Sequence, residues 1–231
     1  MVVMDTEYIV MRLFYNVYYQ ERDVVMELII IENKTMSQNV YLYFDESSKE
    51  GVIIDPGGNI DGIKSTIERN DVKIKAILLT HGHFDHIGAA AKLRENTGAP
   101  IYCHVAEKIM LEDAAINLST MTSTHIKLTP DNLLEDMDTI EISESTLKAI
   151  HTPGHTLGGV CYYDEKNATL FTGDTLFRES VGRTDLPGGN HKQLIESIKE
   201  RLLKLPAEVR VYPGHSAGST IEHEREYNSF L

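Results

Sequence analysis

The stretch THGHFDH, residues 80–86, brings His81, His83, Asp85 and His86 together just past an apolar run. Imidazole and carboxylate are favoured ligands of zinc, iron and manganese. His81, His83 and Asp85 alternate, so an extended backbone would direct them to one side and His86 to the other. A lone histidine after a strand is usually a satisfied core or surface residue, but four donors in so short a span point to a metal. Three further loops repeat the signature: TPGHTLGG with His155, FTGDTLF with Asp174 and VYPGHSAG with His215. In each, a ligand-type residue adjoins a glycine past a strand-like run, and glycine permits tight turns and close approach. The seven donors exceed the need of one tetrahedral zinc and suit two ions sharing a bridging carboxylate. Structural zinc is normally four-coordinate and closed, so a set this large in loops points to catalysis.

The elements that must position these loops are legible as alternating strands and helices. MELIIIE, NVYLYF, GVIID and KAILLT are rich in β-branched and aromatic residues and read as strands. Ile60, Ile63 and Ile67 recur at helical spacing, IGAAAKLRENTG reads as a helix closed by Gly98, and AEKIMLEDAAI as another. The second half repeats the rhythm with strands in DTIEI, TLKAIHT, GVCYYD, ATLFTGD and VRVYPGH. NHKQLIESIKERLLKL reads as a helix capped by Asn190, with Gln193 three residues on, and stopped by Pro206, and STIEHEREYNSFL as a last helix. Residues 1–25 precede the first strand pattern as an N-terminal extension, and 26–231 are expected to form one catalytic domain. Tyr8, Phe14, Tyr15, Tyr18 and Tyr19 give the extension an aromatic character that would favour association if left in water. It is expected to be dispensable for metal binding, and either to pack on the domain or to bridge a homo-oligomer.

A chain of 231 residues is long enough for a proper core, and 42% hydrophobic with 25% charged residues is ordinary for a globular protein. The net charge of −13 repels a phosphate backbone, which argues against a nucleic-acid partner. No run of 18 apolar residues occurs, so no membrane span is expected, and Asp5, Glu7 and Arg12 interrupt any signal-peptide core. Cys103 and Cys161 form no close pair and read as buried small residues of a reduced, cytoplasmic protein.

The order HxHxDH, GH, GD, GH resembles the metallo-β-lactamase superfamily, over residues 26 to 231. The resemblance implies an αββα four-layer sandwich, an α/β fold with the site at one edge. It also implies a first metal on His81, His83 and His155, a second on Asp85, His86 and His215, and Asp174 as the bridge. Asp55, in IDPGG, would brace the metal loop from behind. Commonest-class β-lactamases carry cysteine at the position of Asp174. GDTLFRESVGRTDLPGGN and YPGHSAGSTIEHEREYN are similar instead to the glyoxalase II-like group, the hydroxyacylglutathione hydrolases, in short bacterial form. There Arg183 and Asp185 would brace each other near the metals. Full-length members add a C-terminal helical domain that supplies much of the glutathione site, and this chain has sixteen residues after His215, which leaves the thiol carrier open.

The resulting expectation is a dinuclear metallohydrolase of a small-molecule thioester such as S-hydroxyacylglutathione. Its cofactors are two divalent ions, zinc first, with iron or manganese as alternatives. Asp85 and Asp174 would position a bridging hydroxide for attack on the carbonyl carbon. A mononuclear iron persulfide dioxygenase, with iron on His81, His155 and Asp174, is the alternative, and lactone or phosphoester hydrolysis on the same scaffold a further one.

Overall fold

A computed structural model describes residues 9–11, 25–33 and 36–231. The first sheet holds seven strands in chain order: β1 (Ile9–Met11), β2 (Met26–Asn33), β3 (Gln38–Asp45), β4 (Glu50–Ile54), β5 (Lys73–Leu78), β6 (Ile101–His104) and β7 (Asn132–Leu134). It is antiparallel up to β4 and parallel from β4 to β7. The second sheet takes β8 (Thr139–Ile142), β9 (Ser145–His151), β10 (Val160–Asp164) and β11 (Thr169–Gly173). After a small ribbon of β12 (Leu176–Phe177) and β13 (Ser180–Val181), it is completed by β14 (Arg210–Pro213), parallel to β11, and β15 (Ser219–Thr220). Beyond Ile9–Met11, which pairs with Leu28–Ile30, and Val25, the expectations for residues 1–25 fall outside the described residues.

Three apolar clusters define the layers. Between the sheets, Leu28, Tyr41, Tyr43, Val52, Ile54 and Leu78 of the first meet Leu147, Ala149, Tyr162, Phe171 and Tyr212 of the second. Their alternate neighbours Ile29, Ile31, Val40, Leu42, Phe44 and Ile53 face the opposite way, against helices α1 (Ile60–Asn70) and α3 (Ala90–Thr97). On the outer face of the second sheet, Ile150, Cys161, Tyr163 and Val211 pack against Leu194, Ile198, Leu202 and Ile221. The result is the expected αββα sandwich. Strands covered on both faces need apolar residues at every position, which is why they read as continuous runs rather than as alternation.

Several local expectations hold, and others are corrected. Asn190 caps α5 (His191–Ser197) by accepting from Gln193 N at 3.1 Å. The chain then makes a π turn over Ile198–Leu202 and leaves the helix before Pro206. The helix expected over AEKIMLEDAAI is only a 3₁₀ turn, Val105–Glu107, followed by α4 (Lys108–Glu112). Asp113 ends it by accepting from Ala115 N, a local side-chain bond that competes with the helix. Cys103 and Cys161 lie buried in different clusters. Burial raises their thiols to about 12 and about 11, so neither is a ready nucleophile or metal ligand.

The topology fixes where a site can form. β4, β5 and β6 run parallel, as do β9, β11 and β14 through their shared neighbours. Backbone bonds join the two sets: Val160 N donates to Thr80 O at 2.9 Å, and Asn39 N to Gly214 O at 2.8 Å. The loops leaving the carboxyl ends of these strands carry Asp55, the cluster 81–86, Glu107, His155, Asp174 and His215.

Candidate metal centre

Past β5 the chain is irregular through His83, whose φ of −65° and ψ of 147° are extended. It then makes one helical turn, α2 (Phe84–Ile87). This corrects the alternation read from the sequence: His81 and His83 precede the turn, whereas Asp85 and His86 lie on it. The helical turn, and not a strand, brings the second pair of donors back to the same centre.

Two triads result. One nitrogen each from His81, His83 and His155 lie within 4.8 Å of one another, all three residues buried. Asp85, His86 and His215 form the second set by the same measure. His155 Nε2 lies 3.0 Å from His83 Nδ1, and His215 Nε2 lies 3.2 Å from an Asp85 oxygen and 3.4 Å from His86 Nε2. Asp174 stands between the sets: Oδ1 is 3.4 Å from His86 Nε2, and Oδ2 is 3.7 Å from His155 Nε2 and 3.8 Å from His215 Nε2. Gly214 makes this approach feasible, since a Cβ there would fall 2.4 Å from Asp174 Oδ1 and 2.6 Å from His86 Cε1.

Four of the five imidazoles are held from behind by their Nδ1 atoms, whereas His83 Nδ1 faces His155 Nε2. His86 Nδ1 donates to Asp55 Oδ2 at 2.9 Å, His155 Nδ1 to Arg183 O at 2.7 Å, and His215 Nδ1 to Ser37 O at 2.9 Å. Thr80 Oγ1 donates to Asp55 Oδ2 at 2.5 Å, which leaves its lone pairs to accept from His81 Nδ1 at 3.1 Å. Thr80 N donates to Asp55 Oδ1 at 2.7 Å. Asp55, His81 and His86 also satisfy the spacing of a ligand triad, but both Asp55 oxygens are already engaged, so Asp55 braces. Its φ of 51° is left-handed, a conformation this network sustains. Such outer contacts fix tautomer and ring orientation and leave Nε2 free.

Among the described residues Gln38 Oε1 and Tyr212 OH are buried without a hydrogen-bond partner, and so are three further atoms: His81 Nε2, His83 Nε2 and Asp174 Oδ1. Buried donors and acceptors ordinarily find one, and all three belong to residues of this centre. Orphaned nitrogens and a carboxylate oxygen fit a divalent cation of the zinc, iron or manganese type.

The electrostatics differ between the triads. Burial, reinforced by neighbouring imidazoles, pushes His81 well below its usual range and His83 down to about 3. Burial opposes protonation of His86 and His215 too, but the carboxylates of Asp174 and Asp85 outweigh it and raise both. Burial would raise Asp85 and Asp174, yet the charges of His86 and its neighbours lower both. His81 and His83 are therefore deprotonated and ready, whereas His86 and His215 must release protons when a cation is taken up.

Arg183 and Asp185 brace each other through two bonds of 2.7 and 2.8 Å, and Arg183 holds Asp185 down to about 2. Both side chains are exposed, where an ion pair contributes little. The contact with the centre comes from the Arg183 carbonyl. Sequence reasoning missed Thr80, Ser37 and Glu107. Glu107 lies three residues past β6 just as His81 lies three past β5, the one signal that could have singled it out.

Comparison with known proteins matches residues 34–215 to the family described as the Metallo-beta-lactamase superfamily. The chain is 34% identical to the hydroxyacylglutathione hydrolase GloC of Haemophilus influenzae, over 89% of this chain and 98% of that protein. Among solved structures it is similar to the BLEG-1 B3 metallo-beta-lactamase, with a TM-score of 0.83 and 40% identity, covering 90% of this chain and 99% of that one. It is also similar to TTHA1623 in a di-iron-bound form, with a TM-score of 0.73 and 40% identity, covering 84% and 95%.

Proposed function

The chain belongs to the metallo-beta-lactamase superfamily, and from that premise we propose that it is a dinuclear hydrolase of small thioesters such as S-hydroxyacylglutathione. The position of Asp174 between two complete triads is the observation that supports this above others. In this proposal His81, His83 and His155 hold one ion, Asp85, His86 and His215 the other, and Asp174 spans both. Zinc is the proposed metal, with iron supported as an alternative by the di-iron form of TTHA1623. The name of GloC, whose length this chain nearly spans, supports the thioester class.

Two cations bound there would polarise a carbonyl oxygen and acidify a water from a pKa of about 15.7 to about 7. The protein's own part is placement and charge. Asp85 and Asp174 stay ionised, so a nucleophile between the triads can be held without a separate base. Asp55 and the carbonyls of Arg183 and Ser37 keep His86, His155 and His215 from turning. A leaving thiolate resembling cysteine has a conjugate pKa of about 8.5, so no strong general acid is required of the chain. Among the described residues no helix is long and apolar enough to cross a membrane, and with both thiols buried and free a cytoplasmic, small-molecule enzyme is part of the proposal.

The BLEG-1 likeness favours β-lactam opening as a second reading. Purified protein loaded with zinc or iron should release thiol from an S-hydroxyacylglutathione faster than it opens a β-lactam. Two bound equivalents with no thiol release would refute the proposal. A single iron with oxygen uptake on glutathione persulfide would replace it by the dioxygenase.

A further inference from the structure

Several carboxylates are buried outside the two triads, and one of them, Glu107, bonds the ligand loops without a part in the chemistry above. Glu107 is 1% exposed, and an ionised carboxylate is costly to bury unless its oxygens are fully bonded. Its partners come from two ligand loops. Oε1 accepts from Gly82 N at 2.8 Å, the amide between His81 and His83. Oε2 accepts from Gly158 N at 2.7 Å and from Thr156 Oγ1 at 3.1 Å, in the loop that follows His155.

We propose that Glu107 is a positioning residue that sets the spacing of His81, His83 and His155 by clamping the loops on either side of that triad. The inference rests on the dinuclear reading above only for what the triad holds. The bond from Val160 N to Thr80 O ties the same two segments farther back, at the strand ends, whereas Glu107 joins them beside the ligands themselves. The loop composition matches the clamp. A Cβ at Gly158 would lie 2.4 Å from Glu107 N and 2.6 Å from Oε2, so only glycine lets that amide reach the carboxylate. A carboxylate is also the side chain the geometry demands: donors arrive on both oxygens, and an amide would present N–H to one of them. The bonds of Glu107 run to Gly82, Thr156 and Gly158, so its influence on the ligands passes through the two loops.

The test is cobalt(II) titration of the metal-free protein, read by stoichiometry, affinity and the cobalt d–d spectrum, with melting temperature measured in parallel. Glu107→Gln should weaken one of two equivalents about 10- to 100-fold, the range for such outer partners, alter its spectrum and leave the other equivalent unchanged. Combining it with His215→Ala, which leaves His81, His83 and His155 intact, identifies the weakened equivalent. Equal weakening of both, or a lower melting temperature with unchanged affinities, would overturn the proposal. Should Glu107→Gln not fold, Thr156→Val, which removes one of the three donors, decides: a smaller loss confined to the same equivalent supports the clamp, and no change overturns it. If wild-type protein binds only one cobalt, the dinuclear reading fails, and the effect of Glu107→Gln on that one ion still decides the clamp.

Discussion

Asp55→Asn changes no volume and tests how far the outer bonds govern the centre. The Asp55 carboxylate accepts from Thr80 N, Thr80 Oγ1 and His86 Nδ1. Asparagine keeps one acceptor, which the Thr80 amide can retain. Its NH₂ group then meets Thr80 Oγ1 and His86 Nδ1, both of which donate in the native arrangement. Thr80 can turn its proton towards His81 Nδ1, and His86 can shift its own proton to Nε2. Each response places a proton on the Nε2 of a histidine, the atom otherwise left for a metal. One mismatched buried group costs about 1–3 kcal/mol, or about 5- to 150-fold in affinity. The metal-free protein should melt about 2–4 °C lower per kcal/mol lost, as expected for a chain of this length. Zinc affinity is measured by chelator competition and melting by calorimetry. Wild-type affinity for both ions in a folded Asp55→Asn protein would refute the bracing role.

Asp174→Ala should abolish thioester turnover while the melting temperature of the metal-free protein falls little; wild-type turnover with full metal content would sink the bridging assignment. Cys103→Ala and Cys161→Ala should leave metal content unchanged, and neither thiol should react with a disulfide reagent at pH 8 until the protein is unfolded. Lowering the pH should release metal in two stages, because His86 and His215 bind protons more readily than usual whereas His83 stays neutral down to about 3; metal analysis after dialysis at successive pH values checks this. Burial and the stacked ring of His151, 3.8 Å away, hold His104 down to about 4. The folded state then binds fewer protons than the unfolded one, so this stability is fully present above about pH 6.5 and is lost as pH falls towards 4. His104→Phe should flatten the melting-temperature profile across that window.

The seven donors were legible because each sits beside a glycine or another donor just past an apolar run, a pattern that spacing alone exposes. Their joint geometry was less so. Alternation was carried past the end of β5 to Asp85, where the chain makes a four-residue helical turn too short to show a period. Asp55 stood out as a second-layer residue through its place in IDPGG, but the Thr80 hydroxyl relay has no sequence signal, since threonine at a strand end is ordinary. Glu107 has only its place three residues past β6 as a signal, because its partners, Gly82 and Gly158, lie 25 and 51 residues away. The strands are legible from their composition and the αββα layering only through the family resemblance, and α4 is shorter than the sequence suggests because Asp113 bonds the Ala115 amide and competes with the helix.

The contacts that seat His215 carry a consequence for biosynthesis. His215 Nδ1 reaches Ser37 O across 178 residues of sequence, alongside the Asn39–Gly214 backbone bond. All donors of the first triad have been made once residue 155 is synthesised, but the second lacks its last histidine until residue 215. Closing so long a loop costs entropy before any contact repays it. A chain emerging from the ribosome therefore gains its donors in a fixed order, and the second triad is among the last parts of the molecule that can assemble.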